Sequence, residues 1–179
     1  HAINNVASTF IQRNPFQIVK EVKSKNVLNK TQTEYAVNFC QINQYDNKSI
    51  QKIIDFIPEG NTSKEVFILG RKNFDFVDIK PSLLMSKRHD LSIKKSTIHK
   101  AKGLEADVVI VIGLDGGIKG FPNKTGDDPL LSVFLPGEDL YMDSEERRVM
   151  YVAMTRAKQM IFFVYKLHNR SEFIDELIE

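Results

Sequence analysis

The sequence predicts an α/β domain whose mostly parallel sheet is covered by helices on both faces, and three observations predict it. Apolar segments of strand length alternate with segments of helical spacing along the chain. One of them, Val108 to Ile112, is an unbroken β-branched run, the pattern of a strand with neither face left to water. Hydrophobic residues make up 42% of the chain against 27% charged, enough apolar surface for a sizeable core. A length of 179 residues without internal repeat or low-complexity linker is that of one domain.

Ile3, Val6, Ala7, Phe10 and Ile11 recur at helical spacing as far as Pro15 and predict an opening amphipathic helix. The Lys- and Asn-rich stretch from Gln17 to Lys30 reads as irregular or edge-like. Tyr35, Val37 and Phe39 then alternate with Ala36, Asn38 and Cys40, a strand with one greasier face. Ile50, Ile53, Ile54 and Ile57 mark a helix, with Asn47 or Ser49 to cap it and Pro58-Glu59-Gly60 to end it. Val66 to Leu69, closed by Gly70, has the look of a buried strand, and Leu91 to Ile98 is a further strand ahead of Val108 to Ile112. Gly and Pro punctuate an insert from Asp115 to Leu140, within which Leu130 to Leu135 has the length of one or two helical turns. Asp143 with Glu146 three residues on resembles a capping box and opens a helix to about Ala157, with Val149, Met150, Val152 and Ala153 facing inward. Met160 to Tyr165 is the last strand. Ser171 caps the last helix, with Phe173, Ile174, Leu177 and Ile178 inside.

Composition excludes several function classes. The 25 Lys and Arg against 23 Asp and Glu leave a formal charge of +2, so a nucleic-acid site must be a local patch rather than a whole polycationic surface. The one cysteine, Cys40, rules out an intramolecular disulfide framework and a cysteine-rich zinc site, and makes the cytoplasm the default compartment. No apolar run approaches the ~20 residues of a membrane-spanning helix, and no charged-then-apolar leader opens the chain. The first residue is His1 rather than Met, which reads as a start inside a longer parent.

Ligands of doubly wound α/β domains sit beyond the carboxyl ends of the strands, so polar segments following strong strands are the first candidates. The segment from Ser96 to Asp107 carries a hydroxyl, an imidazole, two ammonium groups and a glycine that permits close approach of an anionic backbone, with Glu105 as an acceptor for hydroxyls. Composition alone favours a solvated Lys-rich connection with a turn glycine. In the segment from Glu145 to Lys158, the helix dipole by itself accounts for Arg156 in the last turn. The functional alternative is a guanidinium projecting toward a phosphate in phosphoryl transfer.

The order and spelling of the two segments decide between these readings. Thr97-Ile98-His99 through Lys102-Gly103-Leu104-Glu105 resembles motif V, and Glu145-Glu146-Arg147-Arg148 through Tyr151-Val152-Ala153-Met154-Thr155-Arg156-Ala157 resembles motif VI, of superfamily 1 helicases of the UvrD, Rep and PcrA group. Phe10 to Pro15, and Gly113-Leu114-Asp115 through Gly120-Phe121-Pro122, are similar to the helicase IV branch. The resemblance implies a RecA-like three-layer fold and a role for individual residues. Arg156 would be the catalytic arginine reaching the γ-phosphate of ATP held by another RecA-like domain. Glu105 would accept from the ribose, with Gly103 giving access. Thr97 and His99 would face single-stranded DNA, Arg71 and Asn73 would contact its backbone, and Lys100 and Lys102 fit either ligand. Lys87, Arg88, Lys94 and Lys95 add local positive charge, read as a solvated basic face. No residue set has metal-ligand spacing; Asp127, Asp128, Glu138, Asp139 and Asp143 read as surface charge.

Departures from the family pattern define the expected unit. The chain has no Gly-x-x-x-x-Gly-Lys-[Ser/Thr] phosphate loop and no recognisable acidic pair to activate water. ATP with Mg²⁺ is therefore expected to be bound mainly by an N-terminal RecA-like domain of the same parent, lying before His1 together with a second phosphate-contacting arginine. The interval from Arg71 to Ser96 is too short for the large inserted subdomain of UvrD and Rep. Residues 1–179 then form a single C-terminal motor domain, inert alone as an ATPase, with single-stranded DNA or a single/double-strand junction as its nucleic-acid partner and no membrane association. The competing readings are a non-enzymatic helicase-like interaction or nucleic-acid-binding module, and a stand-alone nucleotide-binding enzyme, which the missing phosphate loop disfavours.

Overall fold

The computed structural model describes residues 2–15, 36–80, 88–124 and 143–179. The stretch from Gln17 to Lys30, Tyr35, Lys87, Asp127, Asp128, Glu138, Asp139 and the turns expected from Leu130 to Leu135 lie outside these residues. Among the described residues the elements in chain order are α1 (Ala2–Gln12), β1 (Val37–Ile42), α2 (Asn47–Phe56), β2 (Lys64–Gly70), a 3₁₀ turn (Asn73–Phe76), β3 (Leu91–Thr97), β4 (Ala106–Val111), α3 (Ser144–Met154), β5 (Ala157–Lys166) and α4 (Glu172–Ile178).

The five strands form one sheet in the order β1-β5-β4-β2-β3, and every pairing is parallel. This is an α/β fold consistent with a RecA-like domain. Side chains alternate between two apolar layers. Phe67, Leu69, Val109, Val111, Ile161 and Phe163 pack with α1, α3 and α4 through Ile3, Phe10, Met150 and Phe173. On the opposite face Val66, Ile68, Val108, Ile110, Phe162 and Val164 meet Ile50, Ile53, Ile54 and Ile57, from α2 and its C-cap. The unbroken runs in β2, β4 and β5 therefore follow from burial on both faces. No helix among the described residues is long and apolar enough to cross a membrane.

Local differences from the sequence reading have physical causes. The cap of α2 is Asp46, whose Oδ1 accepts the Ser49 N–H at 2.8 Å, while the side chain of Asn47 accepts from Lys80 N at 2.8 Å. Asp143 does precede α3, but with φ 59° in the left-handed region its side chain makes no cap hydrogen bond, and no capping box forms with Glu146. Ser171 caps α4 as expected, accepting from Phe173 N at 3.1 Å, and its hydroxyl also donates to the Phe121 carbonyl. Phe173 and Ile174 are buried, but Ile178, in the last turn, is exposed. The greasier face of β1 is that of an edge strand, with Phe39 stacked on Phe163 at 5.4 Å and still open to solvent.

Arg88 is not part of a solvated basic face. It is buried, and it donates to the carbonyls of Ile54 at 3.2 Å and Ile57 at 2.9 Å, the C-terminal end of α2, and to both carboxylate oxygens of Asp90 at 2.8 Å. Cations satisfy the carbonyls left over at helix C-termini. The hydrogen bonds from Arg88 hold the Asp90 carboxyl down to about 2. Replacing Arg88 by Ala leaves the Ile57 carbonyl without this donor, and is expected to cost about 2 kcal/mol at neutral pH. Because the Asp90 pKa is lowered by folding, the pair's share of the stability is present above the unfolded carboxylate pKa and is lost as pH falls through about 2. Urea unfolding of the Arg88→Ala and unaltered chains at pH 7 and pH 2.5 checks both statements: the difference should shrink at the lower pH.

Candidate functional site

Parallel pairing gives the sheet two chemically distinct edges, separated by the ~20 Å length of six or seven extended residues. The residues singled out by sequence divide between them. Arg71 and Asn73 follow β2, and His99 and Lys100 follow β3, all at the carboxyl edge; Gly103 and Glu105 precede β4, and Arg156 precedes β5, at the amino edge. The expectation that ligand residues gather beyond the carboxyl ends thus holds for only one of the two groups. The connection between β3 and β4 is too short to contain a full helix, and it crosses the sheet face by burying Ile98 and Ala101 beneath it.

At the carboxyl edge, Arg71 is held by Glu146. Its Nε lies 3.1 Å from both carboxylate oxygens and its Nη2 is 2.6 Å from Oε1, while Nη1 is 3.4 Å from Nδ1 of His99. The hydrogen bond to Glu146 is the main cause of the raised pKa of Arg71. Glu146 is buried and also accepts the Asn123 N–H at 3.2 Å. Asn73, His99 and Lys100 are exposed. Thr97 is buried, and its hydroxyl accepts the Lys100 N–H at 3.4 Å, so it shapes the turn that presents His99 and Lys100.

At the amino edge, backbone hydrogen bonds fold the chain into a tight turn, Ala101 N to Thr97 O at 3.1 Å and Leu104 N to Ala101 O at 3.0 Å. Gly103 closes it at φ 87°, and a Cβ built there would meet nothing within 4 Å. Glycine is required by the backbone conformation, and the space above it is open. Glu105 projects outward with 59% of its side chain exposed, its Oε2 4.0 Å from Nζ of Lys158. The Arg156 carbonyl accepts from Ala106 N at 2.9 Å, which ties the start of β5 to the start of β4. The guanidinium of Arg156 folds over the same junction, donating to the carbonyls of Val152 at 3.1 Å and Leu104 at 3.0 Å and to Oγ1 of Thr155 at 3.1 Å.

The partners of Arg156 set it apart. Arg13, Arg71, Arg88, Arg147, Arg148 and Arg170 each have a carboxylate oxygen within 4.0 Å; Arg156 has none among the described residues. Among the described residues its partners are neutral oxygens, next to an exposed glycine and an exposed carboxylate. Such a guanidinium keeps its electrostatic attraction for an incoming anion.

Helix α3 joins the two edges. Glu146 lies in its first turn and Arg156 two residues beyond its end, ~15 Å away along the axis. Between them Met150 and Ala153 anchor it in the core. Arg147 fastens it to its neighbours: Nη1 and Nη2 donate to Glu176 at 2.6 and 2.8 Å, Nη1 donates to the Phe10 carbonyl at 3.2 Å, and the guanidinium lies 4.6 Å and 5.1 Å from the ring centroids of Phe10 and Phe173. Sequence reasoning gave neither Glu146 nor Arg147 these tasks. Their partners are 75 and 29 residues away, beyond any local spacing rule.

Residues 75–168 match the UvrD-like helicase C-terminal domain. DNA helicase IV of Escherichia coli K12 is 32% identical over 178 residues, covering 98% of this chain and 24% of that protein. The ATP-dependent DNA helicase Rep of Buchnera aphidicola (subsp. Acyrthosiphon pisum) is 34% identical over 96 residues, 54% of this chain and 13% of Rep. An ATP-dependent helicase/nuclease protein of Carboxydothermus hydrogenoformans is 27% identical over 173 residues, 83% of this chain and 13% of that protein. The chain thus spans about a quarter or less of the length of these relatives. With the matched segment holding His99, Glu105, Glu146 and Arg156 on their two edges, the chain belongs to the UvrD-like helicase C-terminal domain family.

Proposed function

We propose that this chain is the C-terminal motor domain of an ATP-dependent superfamily 1 DNA helicase or translocase. It would supply the motif V and motif VI side of the ATP cleft and part of the single-stranded DNA track. The observation that carries the reading is the guanidinium of Arg156, with no carboxylate within 4.0 Å among the described residues, beside Gly103 and Glu105. These three fit one flank of a nucleotide: a cation for the terminal phosphate, an acceptor for ribose hydroxyls and an open approach between them. They do not make a phosphate cradle, so ATP and its Mg²⁺ would be held mainly by an N-terminal RecA-like domain of the parent.

Closure of that cleft would exchange the neutral acceptors of Arg156 for phosphate oxygens. Charge-assisted hydrogen bonds are about twice as strong as neutral ones, and a fixed guanidinium stabilises charge that grows in the transition state more than charge already present in the ground state. Glu105, anchored through the start of β4, would orient the sugar. At the other edge His99, Lys100, Asn73 and the outward Nη1 of Arg71 would contact the strand, mostly at phosphate. Repeated opening and closing would then shift one edge along DNA as the other engages nucleotide.

Two measurements on the full-length parent test this. Arg156→Ala should lower DNA-stimulated ATP hydrolysis by about 10³-fold or more, the scale of a lost arginine finger, while nucleotide binding persists; undiminished turnover contradicts the role. Lys100→Ala should weaken single-stranded DNA binding at every sequence and reduce the slope of log affinity against log salt by about 0.7, one phosphate contact. Tight DNA binding by a parent without ATP turnover would instead assign a non-enzymatic nucleic-acid-binding module.

A further inference from the structure

We propose that Glu146 is a positioning residue that couples the DNA-facing edge of the domain to Arg156, an inference that rests on the functional reading above. Glu146 binds neither ligand in this scheme. It is buried, its two carboxylate oxygens accept three hydrogen-bond contacts from Arg71 and one from Asn123, and it belongs to the first turn of the helix that delivers Arg156.

The geometry divides the guanidinium of Arg71. The Nε and Nη2 side is spent on Glu146, whereas Nη1 points to Nδ1 of His99 at 3.4 Å, on the edge where His99 and Lys100 are exposed. A phosphate can therefore take the Nη1 side without breaking the ion pair. Separating a largely desolvated pair is costly because each partner is left charged, so a shift of Arg71 toward a phosphate draws the first turn of α3 with it. Arg147, the next residue, is fastened to Glu176 and Phe10 and provides the fixed point. A pull on the first turn of α3 is passed along the helix to its last turn, where the Val152 carbonyl accepts from Nε of Arg156 at 3.1 Å and so sets the guanidinium's position. Glu146 also offsets the charge of Arg71, so the pair exchanges DNA affinity for coupling.

The test is Glu146→Gln in the full-length parent, with single-stranded oligothymidylate and ATP as probes. The isostere keeps size and some hydrogen bonding while losing the charge. The stimulation of ATP hydrolysis by DNA should fall at least tenfold. Over the same series the DNA concentration for half-maximal stimulation should stay level or fall, with the salt slope steepened by about 0.7 as Arg71 is released to phosphate. Glu146→Asp, which restores charge with a shorter reach, should recover part of the stimulation. Stimulation left within twofold of the unaltered protein overturns the proposal, as does a loss accompanied by severalfold weaker DNA binding, the signature of a merely loosened fold. Should Glu146→Gln fail to fold, the Arg71→Met/Glu146→Leu double variant, which leaves no orphan charge but also lacks one phosphate contact, is read at saturating DNA: maximal stimulation should still be at least tenfold below that of the unaltered protein, and normal stimulation or failure to fold there overturns the proposal. An unaltered parent that hydrolyses no ATP in the presence of DNA overturns the functional reading instead.

Discussion

An all-parallel sheet obliges the chain to return from the carboxyl edge to the amino edge after every strand, and the return between β3 and β4 is the constraint on which this domain depends. Residues 98–105 make the crossing with tight turns, held down by Ile98 and Ala101 in the core. A connection this short has no freedom to place its polar groups elsewhere: His99 and Lys100 must emerge where it departs, and Gly103 and Glu105 where it arrives. Helix α3 makes the corresponding return before β5, with Glu146 at the departure and Arg156 at the arrival. Two groups of polar side chains a strand length apart are thus wired to the same two segments.

The distribution of charge follows from that wiring. Buried or half-buried arginines are matched to carboxylates, Arg71 to Glu146, Arg88 to Asp90 and Arg147 to Glu176. Each pair joins elements far apart in sequence or fastens a helix end, and each would be expensive to leave half-made. These pairs specify an arrangement more than they add net stability. Arg156 stands outside the scheme: neutral oxygens hold its position and leave its charge uncompensated among the described residues. The pairs fix the frame around Arg156, while its own guanidinium is held by neutral hydrogen bonds, which are weaker than the charge-assisted bonds phosphate oxygens would offer.

Most of the fold was legible because it rests on patterns that local sequence carries. The β-branched run of β4, the Ile periodicity of α2 and the Ser171 cap each declare themselves within a few residues. What was not legible depends on tertiary partners. Glu146 has the spacing of a capping box, but the left-handed backbone of Asp143 turns the cap away, and a guanidinium from the end of β2 takes the carboxylate. Arg88 sits in a basic stretch and reads as surface charge, yet the end of α2 and Asp90 enclose it. Thr97 is spelled like a ligand residue, and its hydroxyl also accepts the Lys100 N–H in the turn that follows, a contact no spacing rule reveals. The candidate residues were picked out by motif spelling; that they occupy opposite edges of the sheet follows only from the parallel topology.

The central claim is that Arg156, resting on the Leu104 carbonyl, is the group this domain lends to a nucleotide held by another. It is tested most directly by the structure of the full-length parent bound to single-stranded DNA and ADP with a planar metal-fluoride mimic of the transferred phosphate. The Arg156 guanidinium is expected to leave the carbonyls of Val152 and Leu104 and to lie within hydrogen-bond distance of the fluoride ligands, with Glu105 at the ribose. A nucleotide site closed around the mimic while Arg156 stays folded on Leu104, or with the amino edge of this sheet turned to bulk solvent, would contradict it.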